Sequence, residues 1–332
     1  MRRHLLLLVI PLLCLSGCVY APLELGLDQL GKVQEVAVSD GDEAQKLLMI
    51  RIDGEITSDE GGLLDSTPST IAQVRRDLDL ARQDDDIRGV LMRIDSTGGG
   101  VTPSDLILHE VVRWKQETGK PVVAWLADTA ASGGYYVALG ADAIIAAPTC
   151  ITGSIGVVAV FPQVAELGDK IGVHVEIIKS GANKDLGSPF RPMSPEEEAL
   201  LQSLIDHMYQ SFVDAVLAAR ARTGLTRETL LPLADGRVLT AAQAEEKGLI
   251  DGRGYLEDAV RQLAGFAHLE DPMLVVYERR SLGAAQPTVY SRLAPALDLG
   301  LGGRGSALDR AAHTLLPGSG PVMRYQWLPG RH

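Results

Sequence analysis

The stretch PVVAWLADTAASGGYYVALGADAIIAAP, residues 121–148, decides how this chain is read. PVVAWLAD is a short apolar run with the length and composition of a buried strand, and DAIIAAP is a second one. Between them Ala130, Ala131, Ser132, Gly133 and Gly134 follow one another with almost no side-chain bulk, and two tyrosines come next. Residues this small let the start of a helix pack closely on a sheet, or leave Ser132 standing where another backbone can reach it. Strand, helix start and strand again is one turn of a parallel α/β sheet.

The flanking sequence repeats the theme. KLLMIRIDGEI (46–56), RGVLMRID (88–95), GSIGVVAVF (153–161) and HVEIIKSG (174–181) read as strands, and residues 69–83 and 103–120 carry helical patterns. Strands alternating with helices imply βαβ crossovers and a mostly parallel sheet. Further on, SPEEEALLQSLIDHMYQSFVDAVLAARARTG (194–224) places Ser194, Pro195 and Glu197 as a capping box, with Gly224 as the stop. The 332 residues are 46% hydrophobic, 22% charged and 5% aromatic, which suits a globular α/β protein. A net charge of −12 argues against a nucleic-acid partner, which calls for a basic stripe.

The N-terminus is an export signal. Arg2 and Arg3 precede an apolar stretch from Leu5 to Leu15 that is short for a membrane span, and small residues lead to Cys18. Leu15-Ser16-Gly17-Cys18 has the form of a bacterial lipobox, with cleavage before Cys18 and lipid on its sulfur. Two acyl chains make a stable anchor. With Cys14 removed and Cys18 lipidated, Cys150 is left alone and reads as a buried structural thiol.

Histidines and the usual serine elbow are no help to a hydrolase reading. No G-x-S-x-G surrounds Ser132 or Ser154, and none of the seven histidines stands in a metal pair or beside a serine-rich turn. If Ser132 is a nucleophile, its base must be something else. A lysine serves where desolvation lowers its hold on the proton. IIKSGANKDLGSPF (177–190) offers Lys179, at the end of an apolar run, and Lys184, in a loop that could turn back into a cleft. The glycines of RIDSTGGGV (93–101) permit backbone N–H groups to face a substrate carbonyl, although a run of glycines is equally a tight turn.

Together DSTGGG, AASGGYY, TGSIGV, IKSGANKD, DGRVLTAAQAEEKGLID and GYLEDAV, in that order from about Lys46 to Leu263, resemble the signal peptide peptidase A family of Ser–Lys peptidases. The resemblance implies a ClpP/crotonase-like α/β fold, repeated ββα units with a mostly parallel sheet and surrounding helices. It implies Ser132 as nucleophile, Lys184 as general base, Ser154 as the residue orienting the lysine, and Gly98 and Gly99 as oxyanion donors. Thr97 stands where the family usually has proline, which leaves the donor assignment open. No metal or cofactor is implied. The expected substrates are apolar, extended peptides such as released signal peptides. Short members assemble into rings with serine and lysine from neighbouring copies, so a homo-oligomer with composite sites is expected.

The implied organisation is a signal peptide (1–17), lipidated Cys18 and tether (18–44), a catalytic domain (45–265), and an extension (266–332) that covers the sheet or meets a neighbouring subunit. The implied location is the bacterial cell envelope, lipid-anchored and facing the periplasm; Val19 after the cysteine leaves the outer membrane open. Two rivals share the fold: a non-catalytic membrane scaffold, and a crotonase-like acyl-CoA enzyme, which export away from CoA disfavours.

Overall fold

The computed structural model describes residues 33–58, 68–279, 288–290 and 324–326. The leader, Cys18 and most of the stretch from residue 280 onward lie outside them. The chain divides into two units. The first contributes to the described residues only Val33, Gln34, Glu278 and Arg279, all in strand conformation. The second holds every described helix.

The strands are β1 (Val33–Ala37), β2 (Asp42–Ile56), β3 (Ile87–Gly100), β4 (Val122–Ala131), β5 (Ala143–Ala146), β6 (Ile151–Gly153), β7 (Val238–Thr240), β8 (Gly252–Arg253), β9 (Pro272–Arg279) and β10 (Arg324–Gln326). Between them run α1 (Thr70–Gln83), α2 (Val101–Thr118), α3 (Gly133–Ala138), α4 (Ala165–Ile171), α5 (Pro195–Ala219), α6 (Arg227–Leu230), α7 (Ala241–Glu246) and α8 (Leu256–Ala267). The sheet order β9-β2-β3-β4-β5-β8 is parallel throughout, with β6 parallel beside the end of β4. β7 on β6 and β10 on β3 run antiparallel. This is the mostly parallel α/β architecture that the strand–helix alternation predicts.

Local chemistry explains the helices. Ser69 caps α1 by accepting from the Ala72 N–H at 3.3 Å. Gly119 ends α2 in the left-handed conformation at φ 68°. The capping box of α5 forms as expected, with Pro195 at its start and both reciprocal bonds between Ser194 and Glu197. Gly224 closes the helical run after a short 3₁₀ turn, Ala221–Thr223. Helices cover the sheet, and Trp114 of α2 is wholly buried, a contribution of about 2–3 kcal/mol for a large apolar side chain.

Four expectations are corrected. GSIGVVAVF forms a strand only as far as Gly153, and HVEIIKSG forms none: residues 173–179 carry no regular structure and are exposed. An alternating apolar run needs a neighbouring strand to bond, and here it has none. Order begins before Lys46, since β1 and the start of β2 lie within the segment read as a tether. The sheet also extends past residue 265, because β9 pairs with β2.

Composition also hid a layer of buried charge. MIRID of β2 and LMRID of β3 lie in register, Arg51 opposite Arg93 and Asp53 opposite Asp95. Arg51, Arg93 and Asp95 are buried, and Arg93 pairs with Asp53 at 2.6 Å.

Candidate active site

Three strand ends meet at one edge. β3 finishes in Gly98–Gly100, β4 runs into Ser132, and β6 runs into Ser154. Parallel pairing sets Ser96 against Ala130 and Ala131 against Gly153. The Ser132 N–H donates to Gly153 O at 2.7 Å, and Thr152 Oγ1 donates to Ala130 O at 2.7 Å. Ser132 and Ser154 therefore follow directly on bonded neighbours, at the carboxyl ends of parallel strands where α/β sheets bind ligands.

The backbone at Ser132 is strained. No loop separates β4 from α3, so one residue makes the whole turn, and Ser132 adopts φ 53° and ψ −115°. A non-glycine residue there costs about 1–3 kcal/mol, a strain that collects at functional sites. The physical device is that of a nucleophile elbow, a serine on a sharp strand-to-helix turn, without its G-x-S-x-G sequence. Ser154 is the second such residue, at φ 52°, and its N–H donates to Arg237 O at 2.8 Å. Both serines are buried, at 1% and 5% exposure.

The small residues have separate reasons. At Gly134 a Cβ would lie 2.8 Å from Ser96 O, so α3 comes down onto β3 only with glycine there. At Gly99 a Cβ would lie 2.1 Å from Ile56 O, inside the neighbouring strand. Gly98 has φ 99°, and its N–H donates to Ser96 Oγ at 3.0 Å, while Ser96 Oγ donates to Gly54 O at 2.5 Å. Ser96 thus ties the glycine turn to β2, a role the sequence motif did not reveal. β10 lies antiparallel on the same glycines, with Tyr325 opposite Gly99.

Lys184 stands apart. It is exposed, and among the described residues no hydrogen bond joins its Nζ to Ser132 or Ser154. Its loop is instead closed by charge. Lys179 Nζ donates to Ala182 O at 2.8 Å and to Asp185 Oδ1 at 2.6 Å. Arg191 reaches Asp185 with Nε at 2.7 Å and Nη2 at 2.8 Å, and Glu197 with Nη1 at 2.7 Å and with Nη2. Hydrogen bonds from Arg191, then Lys179, hold the Asp185 carboxyl far below its usual range, and the Arg191 contact holds Glu197 at about 2. Lys179 belongs to this closure, not to a strand end.

Other candidates recede. Cys150 is buried, and desolvation pushes its thiol up to about 12, which leaves no thiolate near neutrality. His109, His174, His207 and His268 are exposed. No described helix is long and apolar enough to cross a membrane.

Comparison with known proteins agrees with the geometry. Residues 114–270 match peptidase family S49. A protein assigned as signal peptide peptidase SppA in Enterococcus faecium is 31% identical over 264 residues, which cover 79% of this chain and 76% of that one. The chain belongs to peptidase family S49. As a member of S49 it is a serine peptidase of the signal peptide peptidase A group. A protease assigned in Methanocaldococcus jannaschii is 38% identical over 60% of this chain and 63% of its own length. A chloroplastic serine protease SPPA of Arabidopsis thaliana is 37% identical over 65% of this chain, which spans 31% of that protein. The S49 match takes in Ser132, Ser154 and Lys184 alike, and the sheet agrees with the ClpP/crotonase-like class.

Proposed function

We propose that this protein is an endopeptidase of the bacterial cell envelope that cleaves apolar, extended peptides such as released signal peptides, through an acyl-enzyme on Ser132. The observation that carries the reading is the strained turn at Ser132, held by the end of β6 that also presents Ser154. Ser132 Oγ attacks the scissile carbonyl and its proton passes to the Lys184 amine. The carbonyl oxygen, now an oxyanion, is stabilised by backbone N–H groups of the Gly98–Gly100 turn and of Gly133. Since Gly98 already donates to Ser96, the share of Gly99 and Gly133 is the larger. Lys184 returns the proton to the leaving amine, and water activated by the same lysine releases the acyl group. Ser154 orients the lysine.

The dyad is composite. A buried serine and an exposed lysine become partners when Lys184 of one copy enters the site of its neighbour. A lysine acts as a base only where it is desolvated, and the second copy supplies that burial. Extended peptides would take the place of β10 on the glycine end of β3, in the same antiparallel sense. Lipid on Cys18 would hold the assembly at the membrane, facing the periplasm, on the inner or outer membrane.

The test is hydrolysis of a fluorogenic apolar peptide by the full chain in detergent, beside Ser132→Ala. The expected result is a loss of about 10³-fold or more in kcat/KM. Equal activity in both removes Ser132 from the mechanism. No activity in either, from a well-formed oligomer, favours the non-catalytic scaffold.

A further inference from the structure

The segment that carries Lys184 has an unusual difficulty. Residues 171–184 are all exposed, so no apolar burial holds this stretch in shape. A base that works on a neighbour's serine must nevertheless arrive in one geometry, because a misplacement of about 1 Å costs about 10²-fold in rate. Polar closure is what remains, and the loop has it.

The closure is more than a surface ion pair. Exposed pairs contribute little, since two long side chains must be ordered in water. Here one guanidinium makes forked contacts to two carboxylates, and the side chains of Asp185 and Glu197 are only 9% and 7% exposed. Glu197 is fixed in turn by the capping box of α5, where it accepts from the Ser194 N–H at 3.0 Å. The 25-residue helix α5 therefore anchors Arg191, Arg191 anchors Asp185, and Lys179 ties Asp185 and Ala182 to the start of the loop.

Asp185 follows Lys184 directly, and neighbouring charges of this kind pair readily. Glu246 and Lys247 of this same chain do so at 2.8 Å. With both oxygens taken by Arg191 and Lys179, the Asp185 carboxylate is kept from turning onto the Lys184 amine.

Resting on the Ser132–Lys184 reading, we propose that Arg191, with Lys179 and Glu197, is a positioning residue that holds Asp185 down so that the Lys184 loop keeps its shape and its amine stays free for the neighbouring serine. Arg191 touches neither substrate nor nucleophile in this account. It acts through Asp185, and its removal should harm the chemical step and leave peptide binding alone.

The experiment measures kcat and KM of the full chain and of Arg191→Met, Arg191→Lys, Arg191→Met/Asp185→Asn, and Lys184→Ala. Melting temperature and assembly size are recorded for each. Arg191→Met is expected to lose about 10–100-fold in kcat with KM within about twofold. Arg191→Lys keeps the charge without the fork and should fall between. The double variant should regain several-fold over Arg191→Met, because the freed carboxylate is gone; a merely structural role gives no such recovery. The proposal is overturned if Arg191→Met keeps its kcat within about twofold, or if the double variant is no better than the single one. Should Arg191→Met fail to fold, Arg191→Lys decides, and wild-type kcat in it overturns the proposal. A wild-type rate in Lys184→Ala would instead remove the base on which the proposal rests, an outcome separate from the behaviour of Arg191.

Discussion

The strand-end edge and the arm that carries Lys184 are built on opposite principles. At the edge, Ser132 is 1% exposed, and a carbon added at Gly99 or Gly134 would run into the backbone of Ile56 or Ser96. Along the arm, Ile178 is fully exposed and Ile171 is 67% exposed, with Leu167, Val173 and Val175 also open to water. One half of the proposed dyad is thus over-determined by the sheet that carries it, and the other stands on an arm whose apolar side chains are open to water among the described residues. An isolated apolar residue on a surface is ordinary, but a contiguous apolar arm marks a contact.

Charging the arm is the strongest way to break this comparison. Ile171→Asp combined with Ile178→Asp should leave the melting temperature of the single chain almost unchanged, as surface substitutions do. Assembly should fail, and peptidase activity should fall by about 10²–10⁴-fold, the contribution of a general base. Sedimentation and peptide hydrolysis together check this, and a monomer with full activity would end the composite-site reading. A smaller effect, on stability, sharpens the same contrast. Gly99→Ala puts a Cβ 2.1 Å from Ile56 O, and should cost at the upper end of the about 1–3 kcal/mol typical of overpacking. Gly181→Ala, in the Lys184 loop, meets nothing within 4 Å and should stay within about 0.5 kcal/mol. Thermal melts of both variants measure the difference directly.

The same division decides what was legible in the sequence. Strand–helix alternation, the α5 capping box and the glycine-rich turns are local signals, and each is reproduced at its own residues. Ser132 and Ser154 stand out by their small neighbours, although their adjacency follows from β4–β6 pairing, which no single segment displays. HVEIIKSG misleads because apolar alternation marks a segment suited to pairing without saying whether a strand lies beside it. Ser96 escaped notice because a serine before glycines reads as part of a turn until Gly54 and Gly98 are seen on either side of it. Arg191 escaped because its partners lie six residues away on either side, outside any motif spacing.

The last effect concerns charge inside the scaffold, and there the sign can be worked out. Asp77 of α1 is buried, and desolvation, opposed by Arg76 and Arg51, raises it from 3.8 to about 6. The folded chain therefore holds this proton more tightly than the unfolded chain does. The stability it contributes is complete below about pH 3.8 and is lost as pH rises through about 6, a change of about 3 kcal/mol at most. Asp77→Asn, neutral at every pH, should flatten that part of the stability curve and leave the molecule no weaker at pH 7.5, provided the amide keeps a bond to Arg76. Denaturant titrations from pH 4 to 8 at one protein concentration test it, since assembly makes stability depend on concentration. Peptidase rates at fixed pH should change by less than about twofold, because the hydrogen bonds described for Asp77 go to Arg76 and not to the strand-end edge. If the slope with pH survives in Asp77→Asn, the titration belongs to another group, and burial at Asp77 is relieved by Arg51 and Arg76 more fully than their geometry indicates.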